Sequence, residues 1–76
     1  MTGLHNLKPE RVLEAFIRAG WKRRKTKSNH AKLTKEGNIN ILSIPLHKGK
    51  PIKRGLLLNQ IKKAGMTVKE FLKYYK

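Results

Sequence analysis

The segment Lys22 to Lys32, KRRKTKSNHAK, sets a single histidine, His30, at the end of a dense run of cations. Histidine, with an ordinary pKa of about 6.5, takes or gives a proton near neutral pH. An imidazole so placed can deprotonate a ribose 2′-hydroxyl, which then attacks the neighbouring phosphate. Cations around it would hold the substrate backbone and offset the charge that builds on the phosphorane oxygens. Lys22, Arg23, Arg24, Lys25 and Lys27 fall within six positions that contain no acid. Such a run repels itself without an anionic ligand, so the segment argues more strongly for polyanion binding than for catalysis. Lys32 adds one further cation beside the histidine.

Composition narrows the chemistry. The 76 residues carry 19 Lys and Arg against 4 acids, a formal net charge of +15. The partners expected are therefore polyanions or acidic proteins. At this length the chain should form one domain, residues 1–76, without a deep substrate cavity. There is no Asp, and the acids are Glu10, Glu14, Glu36 and Glu70. Magnesium prefers clustered oxygen ligands, and two-metal nucleases need several carboxylates. His5, His30 and His47 lack the paired spacing that holds zinc. Catalysis is thus expected to need no metal and no cofactor. Cysteine is absent, which excludes a disulfide framework and a thiolate metal site. No apolar run approaches the roughly 20 residues of a membrane span, and MTGLHNLKPE lacks the apolar stretch of a signal peptide. A cytoplasmic protein is expected.

The elements that must position these residues follow from periodicity. Residues 1–7 read as a flexible tail. Pro9 suits a first helical turn, and Val12, Leu13, Phe16 and Ile17 make one apolar stripe, with Glu10, Arg11, Glu14 and Arg18 on the other side. Glu14 precedes Arg18 by four, the favourable order for a helix pair, and Gly20 supplies the stop. From Trp21 the pattern becomes strand-like. A second strand should run from about Asn29 to Thr34, a turn from Lys35 to Asn38, and a third strand from Ile39 to Ile44. The apolar parity of that third strand switches between Ile41 and Leu42. Either a bulge or a strand covered on both faces is expected there.

Leu46 to Lys53 reads as a basic loop containing His47. A helix should begin near Gly55, with Leu57, Leu58, Ile61 and Ala64 at helical spacing and Gly65 at its end. Thr67 and Glu70 have capping-box spacing ahead of Phe71, Leu72 and Tyr75. Helices bracketing one antiparallel sheet give an α+β fold whose helices cover one face and leave the other open. If Ala31 and Leu33 face the helices, then His30, Lys32 and Thr34 face away from them. Lys53 and Arg54 join the candidate phosphate-binding set, because they precede a helix N-terminus, where the helix dipole favours anions. Trp21, Phe16 and Phe71 hold core-like positions, so recognition should lean on phosphates and shape more than on base stacking. A non-catalytic RNA-binding module shares all these features. DNA-binding and membrane-surface readings rank lower, because no helix carries a basic, base-reading face and none combines a basic face with exposed bulky apolar residues.

The helix ending in AGW, the strand leading to KSNHAKL, the segment IPLH, and GLLLNQIKKAGMTVKEFL together resemble the HicA toxins of bacterial type II toxin–antitoxin systems. The resemblance runs from about Lys8 to Tyr75. It implies a fold like the double-stranded RNA-binding domain: helix, three-stranded antiparallel sheet, helix, short C-terminal helix. It further implies an endoribonuclease acting on mRNA, an mRNA interferase neutralised by a HicB-like acidic antitoxin. The family's catalytic histidine, in a Gly-Ser/Thr-His motif, falls on His30. Ser28 and Asn29 stand where that motif has glycine and a hydroxyl residue, and Asn29 can still hydrogen-bond a phosphate. His47 matches the family's Pro-x-His segment, as a structural or a substrate-contacting residue.

Overall fold

A computed structural model describes residues 7–25, 30–46 and 50–75 of the chain. The elements are α1 (Pro9–Arg18), β1 (Lys22–Arg24), β2 (His30–Lys35), β3 (Asn38–Pro45), α2 (Arg54–Lys63) and α3 (Val68–Tyr74). The three strands form one antiparallel sheet in the order β1-β2-β3, so β2 is central. This is the expected α+β arrangement of the double-stranded RNA-binding-domain type. Of the expected tail, residues 1–6 lie outside the described residues. Leu7 is buried, and its carbonyl accepts the Ile52 N–H at 3.0 Å, which ties the chain ahead of α1 to the segment ahead of α2.

Helix α1 starts on Pro9, where the missing amide costs no helical bond. It ends in a Schellman turn: Gly20 N–H reaches the Ile17 carbonyl at 3.0 Å and Trp21 N–H reaches the Phe16 carbonyl at 3.0 Å. Gly20 has φ +106°, which a side chain would strain. Helix α2 closes in the same way. There Gly65 (φ +72°) donates to Lys62 and Met66 donates to Ile61. Both glycine stops are read correctly from sequence.

The apolar stripe of α1 needs one correction. Val12, Ala15 and Phe16 are fully buried, whereas Ile17 is 43% exposed. Successive residues turn by about 100° around a helix. A face centred on Val12 and Phe16 therefore takes in Ala15 on one flank and Leu13 on the other, and carries Ile17 past its edge. The Glu14–Arg18 pair forms at 3.2 Å, and Arg18 also donates to the Tyr74 carbonyl at 3.0 Å, tying α1 to the end of α3.

Ala31 and Leu33 of β2 and Leu42 and Ile44 of β3 meet Phe16, Trp21, Leu57, Ile61 and Phe71 in one core. The Phe16 and Phe71 rings lie 5.0 Å apart in a tilted pair. Burying each such large side chain contributes roughly 1.5–3 kcal/mol. A bulge lies in β3, and because it inserts two residues it leaves the alternation unbroken: Ile39 and Ile41 share the open side with Ser43, and Asn40 the helical side with Leu42 and Ile44. Leu33 pairs with Leu42 but Lys35 pairs with Asn38, so Ile39, Asn40 and Ile41 stand opposite Thr34 alone. Ile39 and Ile41 are 97% and 56% exposed, and no second layer covers them. Asn40 turns instead to the helical layer, donating from its side chain to the Lys63 carbonyl at 3.1 Å.

Helix α3 carries the expected capping box: Glu70 N–H donates to Thr67 Oγ1 at 3.1 Å and Thr67 N–H donates to Glu70 Oε1 at 3.0 Å. Hydrogen bonding from Thr67, first its backbone amide and then its side chain, holds the Glu70 carboxyl below its ordinary range. Slight burial opposes this and nearby Lys73 adds to it.

Candidate active site

Strand alternation places the functional side chains. In β2, Ala31 and Leu33 are buried while His30, Lys32 and Thr34 are half-buried, as the period of two requires. His30 opens the central strand opposite Pro45, and Lys32 stands opposite Ser43. The Lys32 ammonium donates to Ser43 Oγ at 3.2 Å, and the same oxygen lies 3.4 Å from His30 Nδ1. One serine hydroxyl thus joins the histidine to the nearest lysine of its strand.

Ser43 is itself held from behind. Its backbone N–H donates to Gln60 Oε1 at 2.9 Å, and Gln60, on α2, is 3% exposed. A buried amide in an otherwise apolar helix face must find partners or lose free energy. Here it finds one on β3, an edge strand of the sheet.

The basic run divides between the two sheet faces. Residues paired across an antiparallel ladder share a face. Lys22 pairs with Thr34 and Arg24 with Lys32, so both belong to the open face with His30. Arg23 pairs with Leu33, whose side is the helical one, and reaches solvent because β1 is an edge strand. Lys25 follows β1 and is exposed. Lys27, Asn29 and His47, together with Ser28, lie outside the described residues.

His30 also lines a shallow depression of about 360 Å³ with Lys50 and Lys53, walled by Pro9, Pro45, Pro51, Ile52 and Leu56. Lys53 is the residue immediately before α2, so this depression opens at the end of that helix where backbone amides are unpaired. Arg54, the first residue of α2, is exposed and does not line it. Lys53 and Arg54 both stand at the N-terminus of α2, as expected, and Lys50 joins Lys53 in lining the depression.

Among the described residues the Glu14–Arg18 pair is the one salt bridge, and no three His, Cys, Asp or Glu side chains come together as metal ligands would. The cations around His30 therefore have no acidic partner in that set. Among the described residues no helix is long and apolar enough to cross a membrane.

Ser43 and Gln60 did not emerge from sequence reasoning. For Gln60 a signal existed, since it lies three residues after Leu57 and next to Ile61, on the face those two define. For Ser43 there was only its parity, opposite to that of Leu42 and Ile44. Its place beside Lys32 depends on a register that the bulge sets.

Residues 9–66 match the model of the family described as the HicA toxin of bacterial toxin–antitoxin systems. No curated protein matches the chain. The matched span runs from the first residue of α1 to the turn after α2, and it contains the whole sheet and every described residue of the site. The chain belongs to the HicA toxin family.

Proposed function

We propose that this toxin is an endoribonuclease that cuts mRNA without a metal ion and so inhibits translation. His30 is the group that moves the proton. The observation that carries the reading is the company His30 keeps: Lys22, Arg24 and Lys32 on its own sheet face, and Lys50 and Lys53 around the depression it lines. In this reading the imidazole takes the proton of a ribose 2′-hydroxyl. The 2′ oxygen attacks the adjacent phosphorus, the bond to the 5′ oxygen breaks, and that oxygen leaves with a proton. The products are a 2′,3′-cyclic phosphate and a 5′-hydroxyl. The lysines and arginines bind the flanking phosphates and offset the charge of the transition state. The scarcity of carboxylates supports a route that asks nothing of a bound metal.

The same basic face suits an acidic antitoxin of the HicB kind. The toxin would be silenced by a protein that covers His30 and neutralises Lys22, Arg24 and Lys32 together. Reversing those three charges should abolish toxin–antitoxin binding measured by calorimetry, and undiminished binding would remove the antitoxin from this face.

The catalytic reading is tested with an RNA oligonucleotide mapped for its cut site and a copy carrying one 2′-deoxy sugar at that site, both in EDTA. The RNA should be cut to a cyclic-phosphate end and the 2′-deoxy copy bound but left intact. Cutting of both, or cutting only when magnesium is restored, would contradict the mechanism.

A further inference from the structure

The contacts of Ser43 carry an assignment that the reaction scheme does not contain. A serine hydroxyl has one proton to donate and two lone pairs to accept with, while an ammonium can only donate. Lys32 Nζ, 3.2 Å away, therefore occupies one lone pair of Ser43 Oγ. What remains at that oxygen is one proton and one lone pair, and His30 Nδ1 lies 3.4 Å from it. The hydroxyl can then serve the ring in either protonation state. When Nδ1 carries a proton it donates to Oγ, and when Nδ1 is bare it accepts the hydroxyl proton. Such a partner holds the imidazole in one orientation while the ring gains and loses its proton. The anchor is rigid because the Ser43 backbone is fixed by Gln60, which is almost completely buried in α2.

We propose that Ser43 is the positioning residue of His30, holding ring nitrogen Nδ1 toward β3 so that Nε2 is the nitrogen that exchanges the proton with substrate. Lys32 acts through the same oxygen. By occupying a lone pair it fixes the direction of the hydroxyl, and it stands one hydroxyl away from the ring as a cation for the substrate phosphate. This assignment rests on the reading of His30 as the proton-transfer group.

The test compares the wild type with Ser43→Ala, Ser43→Thr and His30→Ala, after each has been shown to melt as the wild type does. The bond to Gln60 Oε1 is donated by the Ser43 backbone N–H and survives all three changes. Ring misplacement of an ångström costs on the order of a hundredfold in rate. Ser43→Ala is therefore expected to lose turnover on that scale at unchanged affinity for an uncleavable 2′-O-methyl RNA, and Ser43→Thr to recover most of it. In the free protein, the Nδ1 resonance of His30 should move on Ser43→Ala and return on Ser43→Thr. Wild-type turnover in Ser43→Ala with an inactive His30→Ala would overturn this assignment and leave the catalytic reading standing. An active His30→Ala, or a wild type that cuts nothing, would remove the catalytic reading and the assignment with it. An Nδ1 resonance indifferent to Ser43→Ala would overturn the contact itself.

Discussion

Arg23 and Arg24 are neighbours with identical side chains, yet the ladder sends them to opposite faces: Arg24 pairs with Lys32 beside His30, Arg23 with the buried Leu33. Charge alone would make the two equivalent for RNA binding, and geometry does not. Arg24→Gln is expected to weaken RNA affinity and to flatten the salt dependence by about 0.7 in log–log slope, the value of one phosphate contact on a single strand. Arg23→Gln should change the slope by less. Titrations at several salt concentrations check this, and equal slopes for the two variants would contradict the face assignment. Lys53 and Arg54, adjacent at the N-terminus of α2, allow a similar comparison at the other end of the site. Lys53 lines the depression with His30 and Arg54 does not, so loss of Lys53 should reduce RNA affinity more than loss of Arg54.

At the scale of elements, helix ends do much of the positioning. Helix α3 begins on the reciprocal Thr67–Glu70 cap, and Thr67→Ala should cost about 1 kcal/mol of stability in denaturant unfolding. Because the Glu70 carboxyl is held below its ordinary range in the folded chain, its contribution is present above the unfolded carboxylate value. It is lost as pH falls through the lowered folded value. The stability difference between wild type and Glu70→Gln should accordingly shrink in acid. A difference that grows on acidification would mean the carboxylate is not the favoured form. Gly65 ends α2 at φ +72° with open space where a Cβ would sit, so Gly65→Ala should cost only the conformational strain, about 1–2 kcal/mol. Gly20→Ala should cost more, since its φ of +106° lies farther than +72° from the left-handed region an alanine can enter. Lys35 Cε, 3.3 Å from the added Cβ, is the end of an exposed side chain that can yield.

For the whole molecule, a net charge of +15 on 76 residues means that folding works against its own field. Added salt should raise the melting temperature, and on the proposed reading RNA should raise it more at matched ionic strength, since the proposed contacts exist only on the folded face. How much of this was legible beforehand follows from which forces are local. Alternation in Ala31, Lys32 and Leu33 is a property of the strand itself, so the open position of His30 was readable. Glycine stops and the capping box are local chemistry and were readable as well. Ile17 was misread because four apolar residues within two turns define a stripe whose centre only the opposing core decides. The apolar pattern changes parity between Ile41 and Leu42, yet the strand alternates without a break and leaves Ile39 and Ile41 on the open face. The bulge itself shows only in the pairing with β2, and its two extra residues set the register that brings Ser43 to Lys32 and His30. The division of the basic run likewise needed the register of β1.

The most direct test of the central claim is cleavage of a long mixed-sequence RNA in EDTA by the purified protein and by His30→Ala at matched folding and RNA affinity. General acid–base catalysis is worth roughly 10²–10⁴-fold. The wild type should cut, and the variant should bind as tightly while cutting slower by at least the lower of those factors. Equal cutting by both proteins, or binding without cutting by both, would contradict the account.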